Sequence, residues 1–214
     1  MSSAIAAHAR AGEAAGAAAR VGSPIARYLA ELHERCLPLR DGALADYIPE
    51  LARADRDAFA ICVATTDGQC SAAGDLATRF TIQSISQPFT YGVALEDAGC
   101  DAVLAKIGVE PSGEAFNSIN LEAQTGWPLN PMINAGAIAA ASLVAGESTP
   151  ARLRRGLEVY GRCAGRPLEL DAATFASERT TGHRNRAIAT CCAPSGSWRR
   201  IRRRRSPSIS VSAR

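Results

Sequence analysis

Residues Phe59 to Ala73 read FAICVATTDGQCSAA, two short runs of apolar, small and β-branched residues on either side of Asp67-Gly68. An Asp-Gly pair between such runs is a strong hairpin signal, because glycine supplies the left-handed backbone a tight turn needs. The pattern predicts a buried strand over Phe59 to Thr66 and a second strand near Gln69 to Ala73, and so an antiparallel sheet. Phe80-Thr81-Ile82 reads as a further short extended piece. Ser84 stands where the pattern turns into the helical run Phe89 to Ala98, so its hydroxyl is expected at the positive end of a helix, a good position for a nucleophile.

Outward from this centre the chain is helical. Ser23-Pro24 precedes Ile25, Tyr28, Leu29, Leu32 and Leu37 at near-helical spacing, with proline where a helix begins. Leu39 to Leu51 reads as loop and turn. Helical spacing returns over Asp101 to Ile107 and over Asn134 to Val144, where Ala135, Gly136, Ala137 and Ala139 to Ala141 allow close packing. A last helix, Ala151 to Cys163, is expected to turn Leu153, Leu157, Val159 and Tyr160 inward and its arginines outward. One hairpin among several helices, with no internal repeat and no interior linker, defines a mixed α/β (α+β) class.

The composition narrows the function classes. At 214 residues and 47% hydrophobic content the chain can bury a real core. Its longest greasy region, Ile133 to Val144, falls short of the roughly 20 apolar residues that span a bilayer, so no membrane partner is expected. Residues 1–22 begin with the alanine-rich stretch Met1 to Arg20, interrupted by Arg10 and Glu13; this reads as a flexible lead-in rather than a secretory signal. The seven cysteines form no Cys-x-x-Cys, and their odd number argues for the reduced thiols of a cytoplasmic protein over a zinc site or a disulfide framework. His8, His33 and His183 share no ligand spacing, so no metal is expected, and no cofactor. Lys106 is the only lysine.

Charge is unevenly placed. The formal net charge is +3, yet residues 190–214 hold seven arginines and no acid, leaving 17 basic against 21 acidic residues in the rest of the chain. A mildly acidic body is thus joined to a basic segment, Arg199-Arg200-Ile201-Arg202-Arg203-Arg204-Arg205. No aromatic platform accompanies it, and the expectation is an unfolded appendage rather than a nucleic-acid site.

The chemistry centres on Gln83-Ser84-Ile85-Ser86-Gln87. This is close to Ser-x-x-Lys, in which a lysine one helical turn beyond a serine takes its proton as the serine attacks a carbonyl. By itself Ser-x-x-Gln is equally a helix N-cap. It is joined, however, by Asp46-Tyr47-Ile48-Pro49-Glu50-Leu51, the Asp67-Gly68 hairpin, Gly113-Glu114-Ala115-Phe116-Asn117-Ser118, Asn130-Pro131-Met132-Ile133-Asn134-Ala135-Gly136-Ala137-Ile138, and Ser177-Glu178-Arg179 through Gly182-His183-Arg184-Asn185. In this ordered set the chain closely resembles the serine-dependent glutaminase family, over residues 23–189.

The resemblance implies a beta-lactamase/transpeptidase-like fold, here an incomplete antiparallel sheet with a helical subdomain. It implies hydrolysis of L-glutamine to L-glutamate and ammonia through an acyl-enzyme on Ser84, with Asn134, Glu178 and Asn185 binding substrate, Tyr47 facing it, and a homo-oligomer in the intact family. The residue types suit free glutamine, since a carboxylate such as Glu178 pairs with its ammonium and the amides of Asn134 and Asn185 donate to its carboxylate. Without the resemblance, Glu178 would read as a buried ion-pair member and the asparagines as caps. A beta-lactamase or penicillin-binding activity is the nearest enzymatic alternative on that fold; the Asn134 and Glu178 segments favour glutaminase.

Two departures from the family bear on activity. Gln87 stands where the family has its lysine base, and an amide cannot act as a base; general-base catalysis is typically worth about 10²- to 10⁴-fold. The family pattern also stops at Ala189, before a further tyrosine, later strands and an oxyanion-hole amide, as in a C-terminally truncated relative. Residues 190–214 can be rebuilt into glutaminase-like sequence if one base is lost after Ala189, so this segment is expected to be out of frame and disordered. The resulting expectation is a weakly active or inactive glutaminase that Gln87→Lys alone does not restore. The alternative is a catalytically dead protein that binds glutamine or pairs with an intact subunit.

Overall fold

The computed structural model describes residues 23–111, 113, 121–122 and 125–192. The lead-in at residues 1–22, residues 114–120 of the family pattern and the basic segment at residues 193–214 lie outside the described residues. The chain divides into two compact units, exchanging between them at residues 83–84, 159–160 and 181–182.

The first unit carries the hairpin. Helix α1 (Pro24–Cys36) starts where Ser23-Pro24 predicts: Ser23 caps it, its Oγ accepting from the Ala26 N–H at 3.0 Å. Strands β1 (Ala60–Ala64) and β2 (Cys70–Gly74) pair antiparallel, with Ala60 opposite Gly74 and Ala64 opposite Cys70. The turn closes through Gly68 N–H to Thr65 O and Thr65 N–H to Gln69 O, both 2.9 Å, with φ +85° at Gly68. Helix α1 packs on the hairpin, mainly on β2, and buries Leu29. The expectation of a buried first strand is therefore corrected: four of the five β1 residues are exposed and only Ile61 is half-buried. Hydropathy alone could not foresee that the covering helix lies over the other strand. Phe80 to Ile82 is not a strand either, although Ile82 is buried.

A 3₁₀ turn, Pro49–Arg53, packs against α6 (Ala172–Thr181) in the same unit. Asp171 starts α6, its Oδ1 accepting from the Thr174 N–H at 2.7 Å.

The second unit is helical, with α2 (Ser86–Ala98), α3 (Cys100–Leu104), α4 (Asn134–Leu143), the first part of α5 (Thr149–Cys163), and α7 (His183–Cys191). Its core has two clusters. Ala94, Val103, Ile107, Ala139 and Ala140 join α2, α3 and α4, and Ile133, Ala135, Ile138 and Ile188 join α4 to α7. The small residues of α4 serve close approach: a Cβ at Gly136 would stand 2.0 Å from the Asn130 carbonyl oxygen. The outward reading of the α5 arginines fails at Arg155. Its guanidinium donates to the buried Asp97 carboxylate from Nε at 3.1 Å and Nη2 at 2.8 Å, while Asp97 also accepts from the Ala145 N–H at 2.9 Å. A buried carboxylate needs such partners, and they hold the Asp97 carboxyl below its ordinary range, Arg155 first.

Candidate functional site

Ser84 sits in a 3₁₀ turn, Gln83–Ile85, that runs directly into α2, and it is exposed. The residue before it is backbone-strained: Gln83 has φ +40°, the one positive φ on a non-glycine among the described residues. Such a conformation costs about 1–3 kcal/mol and persists where its surroundings over-determine it. The Gln83 side chain provides that hold, its Oε1 accepting from Tyr47 Oη at 3.3 Å and its Nε2 donating to Thr81 Oγ1 at 3.1 Å. Gln83 was legible in the sequence only as a neighbour of Ser84, because no residue-level signal marks a glutamine for this backbone.

Gln87 lies one turn on, in α2, and its Nε2 donates to Ser84 Oγ at 3.4 Å. An amide nitrogen has no lone pair available to take a proton, so this contact orients the hydroxyl without activating it.

Asn134 is the first residue of α4 and Asn185 lies in α7; Asn134 Nδ2 donates to Asn185 Oδ1 at 2.7 Å. Asn130 prepares the start of α4, its Oδ1 accepting from the N–H groups of Met132 at 3.0 Å and Ile133 at 3.2 Å. This hydrogen bond holds the Asn134 and Asn185 side chains next to each other. In the hairpin unit, Glu178 projects from α6 and is only 7% exposed, and its Oε2 has no hydrogen-bond partner. Tyr47 is largely exposed, yet the partial burial of its hydroxyl first, and then the nearby Glu178, push that hydroxyl above the ordinary tyrosine range. The neighbouring Ser177 Oγ accepts from the Glu50 N–H at 3.3 Å, tying α6 to the 3₁₀ turn after Tyr47. One unit therefore holds Ser84, Gln87, Asn134 and Asn185, and the other Tyr47, Gln83 and Glu178.

Among the described residues no cluster of three or more metal-ligating side chains occurs, and no helix is long and apolar enough to cross a membrane.

A mixed fold of helices with a small antiparallel sheet, carrying a serine in the turn that leads into a helix and a buried carboxylate with one oxygen lacking a hydrogen-bond partner, is the class of structure these observations define. A family model described as Glutaminase matches residues 42–201. That span starts later than residue 23 and runs past Ala189, where the sequence reading ends the family pattern. The chain is 52% identical over 167 residues to the glutaminase of Trichormus variabilis, covering 78% of this chain and 50% of that one. Its structure matches a crystal structure of Mglu in its glutamate form with TM-score 0.74 at 45% identity, over 80% of this chain and 40% of the other. It also matches the probable glutaminase from Bacillus subtilis complexed with 6-diazo-5-oxo-L-norleucine, with TM-score 0.66 at 34% identity, over 78% of this chain and 50% of that one.

The chain belongs to the glutaminase family. It spans about half the length of the curated relatives it matches.

Proposed function

We propose that the chain carries a glutamine site of the glutaminase type in which hydrolysis is slow. The observation that carries this reading is the buried Glu178 carboxylate with an oxygen lacking any partner. A buried acceptor oxygen without a hydrogen-bond partner is costly, and the N–H groups of an arriving ammonium would satisfy it. In this reading Glu178 takes the α-ammonium of L-glutamine and the amides of Asn134 and Asn185 donate to its α-carboxylate. Ser84 Oγ then attacks the side-chain carbonyl, ammonia leaves with the serine proton, and water hydrolyses the ester to L-glutamate. The glutamate form and the complex with 6-diazo-5-oxo-L-norleucine among the related structures support the substrate class.

The weak point is the first proton transfer. Gln87 donates to Ser84, and the family's lysine base is missing from that position, so acylation loses about 10²- to 10⁴-fold. The same contact favours a second reading, a catalytically silent protein that binds glutamine or pairs with an intact subunit. We assign the chain to the cytoplasm, a reading supported by its seven unbridged cysteines.

Titration calorimetry of the purified chain with L-glutamine tests the site. Binding is expected, weakened roughly 30-fold or more in Glu178→Gln, the cost of about 2 kcal/mol or more for removing one partner of a buried charged pair. Heat signals identical in the two proteins would remove Glu178 from the site.

A further inference from the structure

The seven cysteines look unrelated in sequence, yet the hairpin brings two of them together. Ala64 pairs with Cys70 across the ladder, and Cys62 lies two residues from Ala64 along the same strand. Side chains alternate along a strand and partners share a face, so Cys62 and Cys70 stand on one face as diagonal neighbours. Diagonal neighbours in a flat ladder are about 7–8 Å apart, and the twist of a two-stranded ribbon shortens one diagonal. Here the two Sγ atoms are 3.3 Å apart and share a hydrogen bond. The sulfurs therefore stand little more than about 1 Å beyond the bonded length of about 2.0 Å. The pair is also reachable: Cys62 is exposed on the mostly exposed β1, and Cys70 is half-buried at the start of β2. None of these residues belongs to the glutamine site argued above.

We propose that Cys62 and Cys70 form a redox-active dithiol that closes to an intramolecular disulfide across the hairpin by exchange with a small-molecule disulfide. One cysteine loses its proton and its sulfur attacks a sulfur of the oxidant, forming a mixed disulfide and expelling one thiolate, which takes up that proton. The second cysteine loses its proton in turn and attacks the bound protein sulfur, expelling the second thiolate, which is protonated. The protein loses two electrons and two protons, and the small disulfide becomes two thiols. The new bond ties β1 to β2 beside the turn and leaves the other five cysteines as thiols.

The test is clean because Arg56 and Arg79 bound a stretch without other lysine or arginine, so trypsin releases residues 57–79 as one peptide holding Cys62, Cys70 and no other cysteine. The folded chain is incubated with oxidised glutathione, its remaining thiols are alkylated, and this peptide is weighed. The expected product is a peptide lighter by two hydrogens and free of alkylation, formed to the same extent when the protein is diluted. Cys62→Ser and Cys70→Ser are each expected to stop at one glutathione adduct on the remaining cysteine of the pair. Alkylation at both cysteines, two glutathione adducts on the wild-type peptide, or a bond from either cysteine to one elsewhere would overturn the proposal. The serine variants replace a sulfur by an oxygen at accessible positions, and their unfolding midpoints beside reduced wild type check that they remain folded.

Discussion

Glu178 and Tyr47 can be tested as a pair. The Tyr47 hydroxyl is raised by burial first and by the Glu178 charge second, because a nearby carboxylate disfavours the phenolate. Glu178→Gln is therefore expected to lower the Tyr47 pKa while leaving it above about 10, the ordinary tyrosine value, since the larger cause is untouched. Ring-carbon NMR titration of the four tyrosines reads this directly. An unmoved Tyr47 resonance would mean that the two residues are not electrically coupled. At this scale the sequence was legible for the identity of the candidate residues and silent on their state. Ser84, Asn134, Glu178 and Asn185 could be named from ordered motifs. The strained backbone of Gln83 and the unpartnered oxygen of Glu178 depend on contacts from distant positions, which no local pattern encodes.

The helices make two predictions that separate packing from propensity. Gly92 lies exposed within α2, and an added Cβ there meets nothing within 4 Å. Gly92→Ala is expected to stabilise by about 0.5–1 kcal/mol, the usual gain of alanine over glycine inside a helix. Gly136 lies within α4 against the Asn130 carbonyl, and Gly136→Ala is expected to destabilise by about 1–3 kcal/mol, as overpacking does. Urea titrations of both variants should move in opposite directions; a shift of the same sign would contradict the close approach of α4. The Asp97–Arg155 pair adds a pH dependence. The Asp97 carboxyl titrates below its ordinary value of about 3.9 when folded, so the unfolded chain binds the proton more readily. Its stabilising contribution is then complete above that value and is lost as pH falls from there through the folded pKa. Asp97→Asn should flatten the stability profile in that acidic window and lower the unfolding midpoint at neutral pH, as thermal melts across pH would read. Element starts and turns were legible here because Ser23-Pro24 and Asp67-Gly68 act locally. The exposure of β1 and the inward turn of Arg155 were not, since each depends on which partner arrives.

For the whole molecule, the sequence was most legible in its mixed fold class and family, and least after Ala189. Helix α7 continues through Thr190 to Cys191, and Cys192 packs against Ile133, Ala135, Ile138 and Ile188. Burial and then Cys191 push the Cys192 thiol up to about 11, so it should alkylate far more slowly at neutral pH than an ordinary exposed thiol. The helix thus runs two residues past Ala189, and the family match reaches residue 201. The out-of-frame reading of the following residues rests on codon arithmetic and calls for resequencing of the gene; a downstream frame encoding further glutaminase strands would support it, and none would refute it. We propose that the chain keeps a glutamine site while Gln87, in place of a base, slows its chemistry. Ammonia release from L-glutamine by the purified chain, beside Ser84→Ala, tests it most directly. The expected rate is at least about 10²-fold below that of a relative carrying the lysine; a rate equal to that relative's, abolished by Ser84→Ala, would show that Gln87 does not limit the reaction.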